Sequence, residues 1–257
     1  MIEPLKKGYK LNNQYTILDV VGVGGNSYVY LVEEPSVGIL LVKEYIYGLG
    51  LKEYDGIFRR LADGCIAGDA STTFIDWLFT NEKQAKKEQE KLRELRNSGF
   101  VFYEAALQSF QANNTYYTPI LNSKGTILKD IEISNIQELY HYTLIILKAI
   151  SNLHEKGYIH LDISPDNLLI TPYDVGFLID FGSTKSLEHL DNDIMCKEEY
   201  AASEVLERIY YCDNIYFKNG DLGVWSDIYS IGKVMLYLED KCMNKKEYQE
   251  ELKIYHE

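Results

Sequence analysis

The sequence predicts an α+β fold, with a β-rich first half and a mainly helical second half. Three observations carry this expectation. Residues 15–21, 28–33 and 39–46 alternate or cluster β-branched, aromatic and aliphatic side chains around the Gly-rich tip Gly22-Val23-Gly24-Gly25-Asn26-Ser27, the pattern of paired strands. Residues 135–156 carry Leu139, Tyr142, Ile145, Ile146, Ile150 and Leu153 at helical spacing and stop at Lys156-Gly157. The chain changes from the first character to the second near Leu121–Gly125.

In order along the chain, 15–21 and 28–33 read as a hairpin and Ile39–Ile46 as a third strand. Residues 47–80 read as irregular, with Gly at 48, 50, 56, 64 and 68 and a short helix expected near 57–62. Residues 81–97 are rich in helix formers, set Leu92 and Leu95 on one face, and end at the stop signal Asn97-Ser98-Gly99. Two more strands are expected at 100–111 and 115–121, joined by Ala112-Asn113-Asn114. After the 135–156 helix, Leu168–Ile170 and Phe177–Ile179 are short apolar strands across a turn at Pro172-Tyr173-Asp174. A buried helix is expected over 225–239 and a charged one over 245–256.

Composition narrows the function classes. The 257 residues suffice for a sizeable core. A net charge of −13 argues against a nucleic-acid partner or an anionic membrane surface, which require a basic face. Cys65, Cys196, Cys212 and Cys242 show no metal spacing and suit a reducing compartment. Met1–Lys10 has no apolar signal core, and no run approaches the ~18 apolar residues of a membrane span. A cytoplasmic protein, or a soluble piece of something larger, is expected, without membrane insertion.

The chemistry concentrates in 160–182. His160-Leu161-Asp162-Ile163-Ser164-Pro165-Asp166-Asn167 is followed by a short apolar strand and then by Asp180-Phe181-Gly182. Asp162 can orient a hydroxyl or take its proton, while Asn167 and Asp180 offer hard oxygens of the kind Mg²⁺ prefers beside phosphates. Upstream stand the Gly-rich tip, which lets backbone N–H groups approach phosphate, and Lys43, an isolated charge closing an apolar strand.

Together these segments resemble the protein kinase family, whose reaction template uses such a set. Tyr200-Ala201-Ala202-Ser203-Glu204 is similar to the family's Tyr-x-Ala-Pro-Glu. Ser226–Gly232 is similar to the start of its central buried helix, where an aspartate accepts backbone hydrogen bonds from the catalytic loop. The resemblance runs from about Tyr15 to Leu238. It implies one two-lobed kinase-like domain over 1–257, with a β-rich N-lobe to about residue 121 and a mainly helical C-lobe from about 122.

The resemblance also implies roles. Asp162 is the base or hydroxyl-orienting group, Lys43 holds the α- and β-phosphates of ATP, and Glu88 pairs with Lys43, with Glu90 as the fallback. Asn167 and Asp180 are the Mg²⁺ ligands. Nucleotide contacts are expected at Gly22, Gly24, Gly25, Ser27, Val29, Leu41, Lys43 and Leu169, and at a hinge near Leu121 and Ser123. His160 packs in the core. The Lys43–Glu88 gap exceeds the family's usual one, which makes 47–80 an insertion of unknown role.

The departures are as specific as the matches. Leu161 stands where the family's phosphate-receiving arginine lies, and 187–199 holds no Ser, Thr or Tyr. Both features point away from control by loop phosphorylation. Ser164 replaces the lysine that neutralises the γ-phosphate, and Lys197 is the expected substitute cation. Leu41 replaces the small residue over adenine and narrows that site. The family's arginine partner of Glu204 is absent, so either the chain is cut, or the lower lobe is minimal and Glu204 is paired differently. The resemblance implies an ATP- and Mg²⁺-dependent kinase acting on Ser or Thr of a protein substrate. The alternatives are a pseudokinase serving as a nucleotide-binding or scaffold module, and a small-molecule kinase.

Overall fold

Alternating burial along neighbouring strands organises the first half. The computed structural model describes residues 2–48, 57–68, 72–100, 108–120, 125–191, 194–210 and 222–242. The chain divides into two units: 1–90 with 104–123, and 91–103 with 124–257. In the first, β1 (Lys10–Leu11), β2 (Tyr15–Val23), β3 (Ser27–Glu34), β4 (Gly38–Tyr45), β7 (Phe110–Ala112) and β8 (Thr115–Ile120) form an antiparallel sheet in the order β1-β2-β3-β4-β8-β7. Its register puts Lys43 between Val29 and Thr118. Side chains alternate across the pleat, so Tyr28, Tyr30, Val32, Leu40, Val42, Glu44 and Tyr117 share the buried face. Asn113 and Asn114, both at positive φ (54° and 61°), close β7 onto β8, the two-residue turn that matches strand twist.

The expected helix near 57–62 is instead a strand, β5 (Phe58–Arg60), paired with β6 (Ile66–Gly68). The physical reason is burial: Phe58 and Ile66 are drawn into the core beside Ile2, Leu5, Leu11 and Trp77. Helix α1 (Thr72–Asn97) begins nine residues before the expected start at 81. Its first turns are poor in strong helix formers, but burial of Trp77 overrides propensity. The expected strand over 100–111 shrinks to β7, and its residues 101–107 lie outside the described ones.

The second unit opens with β9 (Thr126–Ile127) and α2 (Ile136–His154), then β10 (Tyr158–Ile159), β11 (Leu168–Ile170), β12 (Gly176–Leu178) and β13 (Lys185–Ser186), and ends in α3 (Ser203–Tyr210) and α4 (Val224–Lys241). Asn135 caps α2 by accepting the Glu138 N–H at 2.9 Å. Ile146, Ile150 and Leu153 of α2 share a core with Leu168, Ile170 and Leu178 of the β9-β11-β12 sheet and with Ile231, Val234 and Leu238 of α4. The sequence pattern does not predict α3. The expected 245–256 helix lies outside the described residues. No described helix is long and apolar enough to cross a membrane.

Candidate active site

In the first unit, the Lys43 ammonium donates to Glu88 Oε1 at 2.7 Å, with side chains 13% and 15% exposed. Strand register aims Lys43, and α1 brings Glu88. The Gly-rich tip joins β2 to β3, with the Gly24 N–H donating to the Ser27 carbonyl at 2.9 Å. A Cβ at Gly22 would stand 3.2 Å from that of Val29, whereas Gly25 faces open space. Leu41 lies on the same face of β4 as Lys43, opposite Leu31 and Ile120. Leu121 and Ser123 fall outside the described residues.

In the second unit a buried carboxylate organises the 160–167 loop. Asp227, fully buried on α4, accepts the backbone N–H groups of His160 (2.8 Å) and Leu161 (2.9 Å) and lies 2.8 Å from His154 Nε2. Leu161 has φ +65°, a left-handed conformation costing a side chain about 1–2 kcal/mol. Those two hydrogen bonds hold it there. The His160 and Phe181 ring centroids lie 5.5 Å apart, and burial lowers the His160 imidazole below its usual range. Phe181 is buried and meets Phe100 edge-on.

Asp162 is gripped at both oxygens. Asn167 Nδ2 donates to Oδ2 at 2.7 Å and to the Asp162 carbonyl at 2.8 Å, and the Lys197 backbone N–H donates to Oδ1 at 2.9 Å. Burial, then the charge of Asp180, pushes the Asp162 carboxyl up to about 7. Asp180 has φ +61°.

This donor set fits a divalent cation. With its nitrogen committed to Asp162, the Asn167 amide keeps its oxygen for a hard ion, and the mutual repulsion of two carboxylates is what such a charge relieves. Among the described residues no cluster of three or more His, Cys, Asp or Glu suits a metal, so the amide oxygen is integral to the set.

The structure adds partners that sequence reasoning missed. The Lys197 ammonium pairs with Asp166, which also accepts Lys129 at 2.9 Å. Burial raises the Asp166 carboxyl, but the two lysines outweigh it and hold it below the usual range. Asp166 lies inside the quoted motif, yet these lysines are 31 and 37 residues away, a separation that carries no local signal. Leu161 is buried with Ile194, Ala201, Ala202 and Val205. Glu204 accepts the Ser226 hydroxyl at 2.8 Å. Ser183 bonds the backbone of Met195.

Comparison with known proteins agrees with this arrangement. The protein kinase domain model matches residues 78–257, more than half of the chain. The chain is 31% identical over 138 residues to the probable serine/threonine-protein kinase glkA of Dictyostelium discoideum, covering 52% of this chain and 26% of that one. It is 25% identical over 240 residues to a probable serine/threonine-protein kinase of Clostridium perfringens (89% and 29%), and 26% identical over 240 residues to the serine/threonine-protein kinase PSK2 of Saccharomyces cerevisiae (90% and 19%). It thus spans less than a third of each relative. The solved kinase domain of PF14_0431 shares the fold at a TM-score of 0.62 and 19% identity, covering 92% of this chain and 67% of that one. A β-rich unit carrying a Lys–Glu pair, a helical unit carrying the Asp162–Asn167–Asp180 set, and a family match over both the helix and the loops lead to one conclusion: the chain belongs to the protein kinase domain family.

Proposed function

We propose that the chain is a protein kinase that transfers the γ-phosphate of ATP, with magnesium, to a serine or threonine hydroxyl of a protein, without phosphorylation of its own 186–200 segment. The observation that carries this reading is the grip on Asp162, one oxygen held by Asn167 and the other by the Lys197 N–H. Held so, Asp162 orients the attacking hydroxyl and accepts its proton. Lys43, fixed by Glu88, holds the phosphates together with backbone N–H groups of the Gly22, Gly24, Gly25 and Ser27 turn. Val29, Leu41 and Leu169 are the apolar contacts to the nucleotide, with Leu121 and Ser123 at its hinge. Magnesium on Asn167 and Asp180 supplies charge neutralisation. Lys197 brings a cation to the loop where Ser164 cannot.

Independence from segment phosphorylation is supported by two features. Leu161 gives the segment an apolar anchor in place of a phosphate-binding one, and Lys197 ties the segment to Asp162 and Asp166 directly. The serine/threonine preference draws on the relatives' names. The free thiols of Cys65, Cys196 and Cys242 suit a cytoplasmic, reducing setting.

The test is transfer of labelled γ-phosphate to a generic protein substrate, paired with nucleotide-dependent melting. Asp162→Asn is expected to abolish labelling and keep the nucleotide-dependent rise in melting temperature. Labelling that survives this substitution, or a melting point indifferent to magnesium and ATP, overturns the reading.

A further inference from the structure

The β5–β6 hairpin and the first turns of α1, which lie between Lys43 and Glu88 in sequence and whose role the family resemblance leaves open, pack on the buried face of the sheet. Arg60 on β5 is 6% exposed. Its Nη2 donates to Glu44 at 2.8 Å, its Nε to the Glu3 carbonyl at 2.6 Å, and its Nη1 to the Gly64 carbonyl at 2.9 Å. Glu44 is fully buried and also accepts the hydroxyls of Tyr30 and Tyr117. A carboxylate stripped of water requires such partners. Arg60 therefore fastens the β5–β6 hairpin to the strand that carries Lys43, on the face opposite it.

The same hairpin receives the first turns of α1. The Phe58 ring lies 5.2 Å from Trp77 and 5.7 Å from Phe74, and a Cβ at Gly68 would stand 2.9 Å from Phe74. Trp77 Nε1 donates to the Tyr47 carbonyl at 2.9 Å. Asn81, nearly fully buried, accepts the Tyr47 N–H at 2.8 Å and donates to the Thr115 hydroxyl at 2.9 Å. Trp77, Asn81, Ala85 and Glu88 follow at spacings of four, four and three, which is one helix face. Fixing the helix at 77 and 81 thus sets its rotation at Glu88, two turns on.

We propose that the β5–β6 hairpin and the first turns of α1 form a built-in clamp, with Arg60, Trp77 and Asn81 as positioning residues that present Glu88 to Lys43. The functional meaning rests on the phosphotransfer reading, but the first test does not. In hydrogen exchange on the full chain, Asn81→Ala is expected to speed exchange over 84–90 about tenfold while α2 and α4 keep their rates. Unchanged exchange there, or equal acceleration in α2 and α4, overturns the clamp. Trp77→Phe keeps an aromatic ring and removes the N–H together with part of the buried indole. It is expected to act in the same place, about threefold, and serves if Asn81→Ala fails to fold; no effect from it counts equally against the clamp. The second test is a cycle in turnover. Asn81→Ala is expected to lower kcat about tenfold alone and not at all on top of Glu88→Gln, whereas losses that multiply assign Asn81 a merely structural role. A wild-type chain that transfers no phosphate defeats the proposed function alone, and the exchange rates over 84–90 then decide whether the clamp stands.

Discussion

The two units place their lysines by different means. Lys43 is set by strand register and faces a carboxylate on a long helix, and both side chains are largely shielded. Lys197 sits in a loop, its side chain 43% exposed, and shares Asp166 with Lys129. An ion pair removed from water loses much when one partner goes, while an exposed pair contributes roughly 0–1 kcal/mol. The first pair should therefore be indispensable and the second adjustable, although the proposed reaction draws on both.

The comparison breaks first at Lys43. Lys43→Met removes the proposed phosphate contact and the ion pair with Glu88. Turnover is expected to fall about 10²–10³-fold, against roughly tenfold or less for Lys197→Ala. Steady-state transfer assays read both, and equal losses would erase the distinction between register and loop.

A second test sharpens the loop side by pH. With its carboxyl pushed from 3.8 up to about 7, folded Asp162 keeps a proton that the unfolded chain releases. The folded state then binds more protons across that window, so stability contributed by this group is present below about pH 4 and lost as pH rises to 7. Asp162→Asn has no such slope. In magnesium-free urea titrations, stability of the variant minus that of the wild type is expected to grow from pH 4 to 7.5, by at most roughly 4 kcal/mol. A flat difference rejects the raised Asp162 carboxyl, and with it the burial and the Asp180 charge that account for it.

Lys197 offers a smaller effect with a chemical signature. Lys197→Arg retains the charge and the backbone N–H and should keep most of the turnover, while Lys197→Ala should lose several-fold more. Identical, small losses would remove Lys197 from the proposed reaction. The smallest effect is expected at Ser226. Removing its hydroxyl leaves Glu204 without that donor, and Ser226→Ala should lower stability by about 1 kcal/mol with transfer little changed. A drop of several kcal/mol would give this bond far more weight than an ordinary hydrogen bond carries.

Much of the fold is legible in the sequence because its signals are local. The hairpin around Gly22–Ser27, the strand that carries Lys43, the helix from 136 and the Asp162–Asn167–Asp180 spacing are each written in local pattern. The segment from 57 to 80 resists such reading for the opposite reason. Phe58, Ile66, Phe74 and Trp77 have no period of their own and acquire an order only by packing on one another and on the N-terminal Ile2 and Leu5. Asp166 is visible in its motif, but not as the meeting point of two lysines from distant loops.

By itself the sequence determined which groups are available for chemistry and on which strand, helix or loop each sits, since backbone periodicity and short motifs depend on neighbours along the chain. Tertiary structure alone decided the partners that no motif implies. Arg60 meeting Glu44 and Asn81 bridging Tyr47 and Thr115 are contacts between residues far apart in sequence. Burial imposes them, because a polar group shut away from water must find its counterpart wherever the fold brings one.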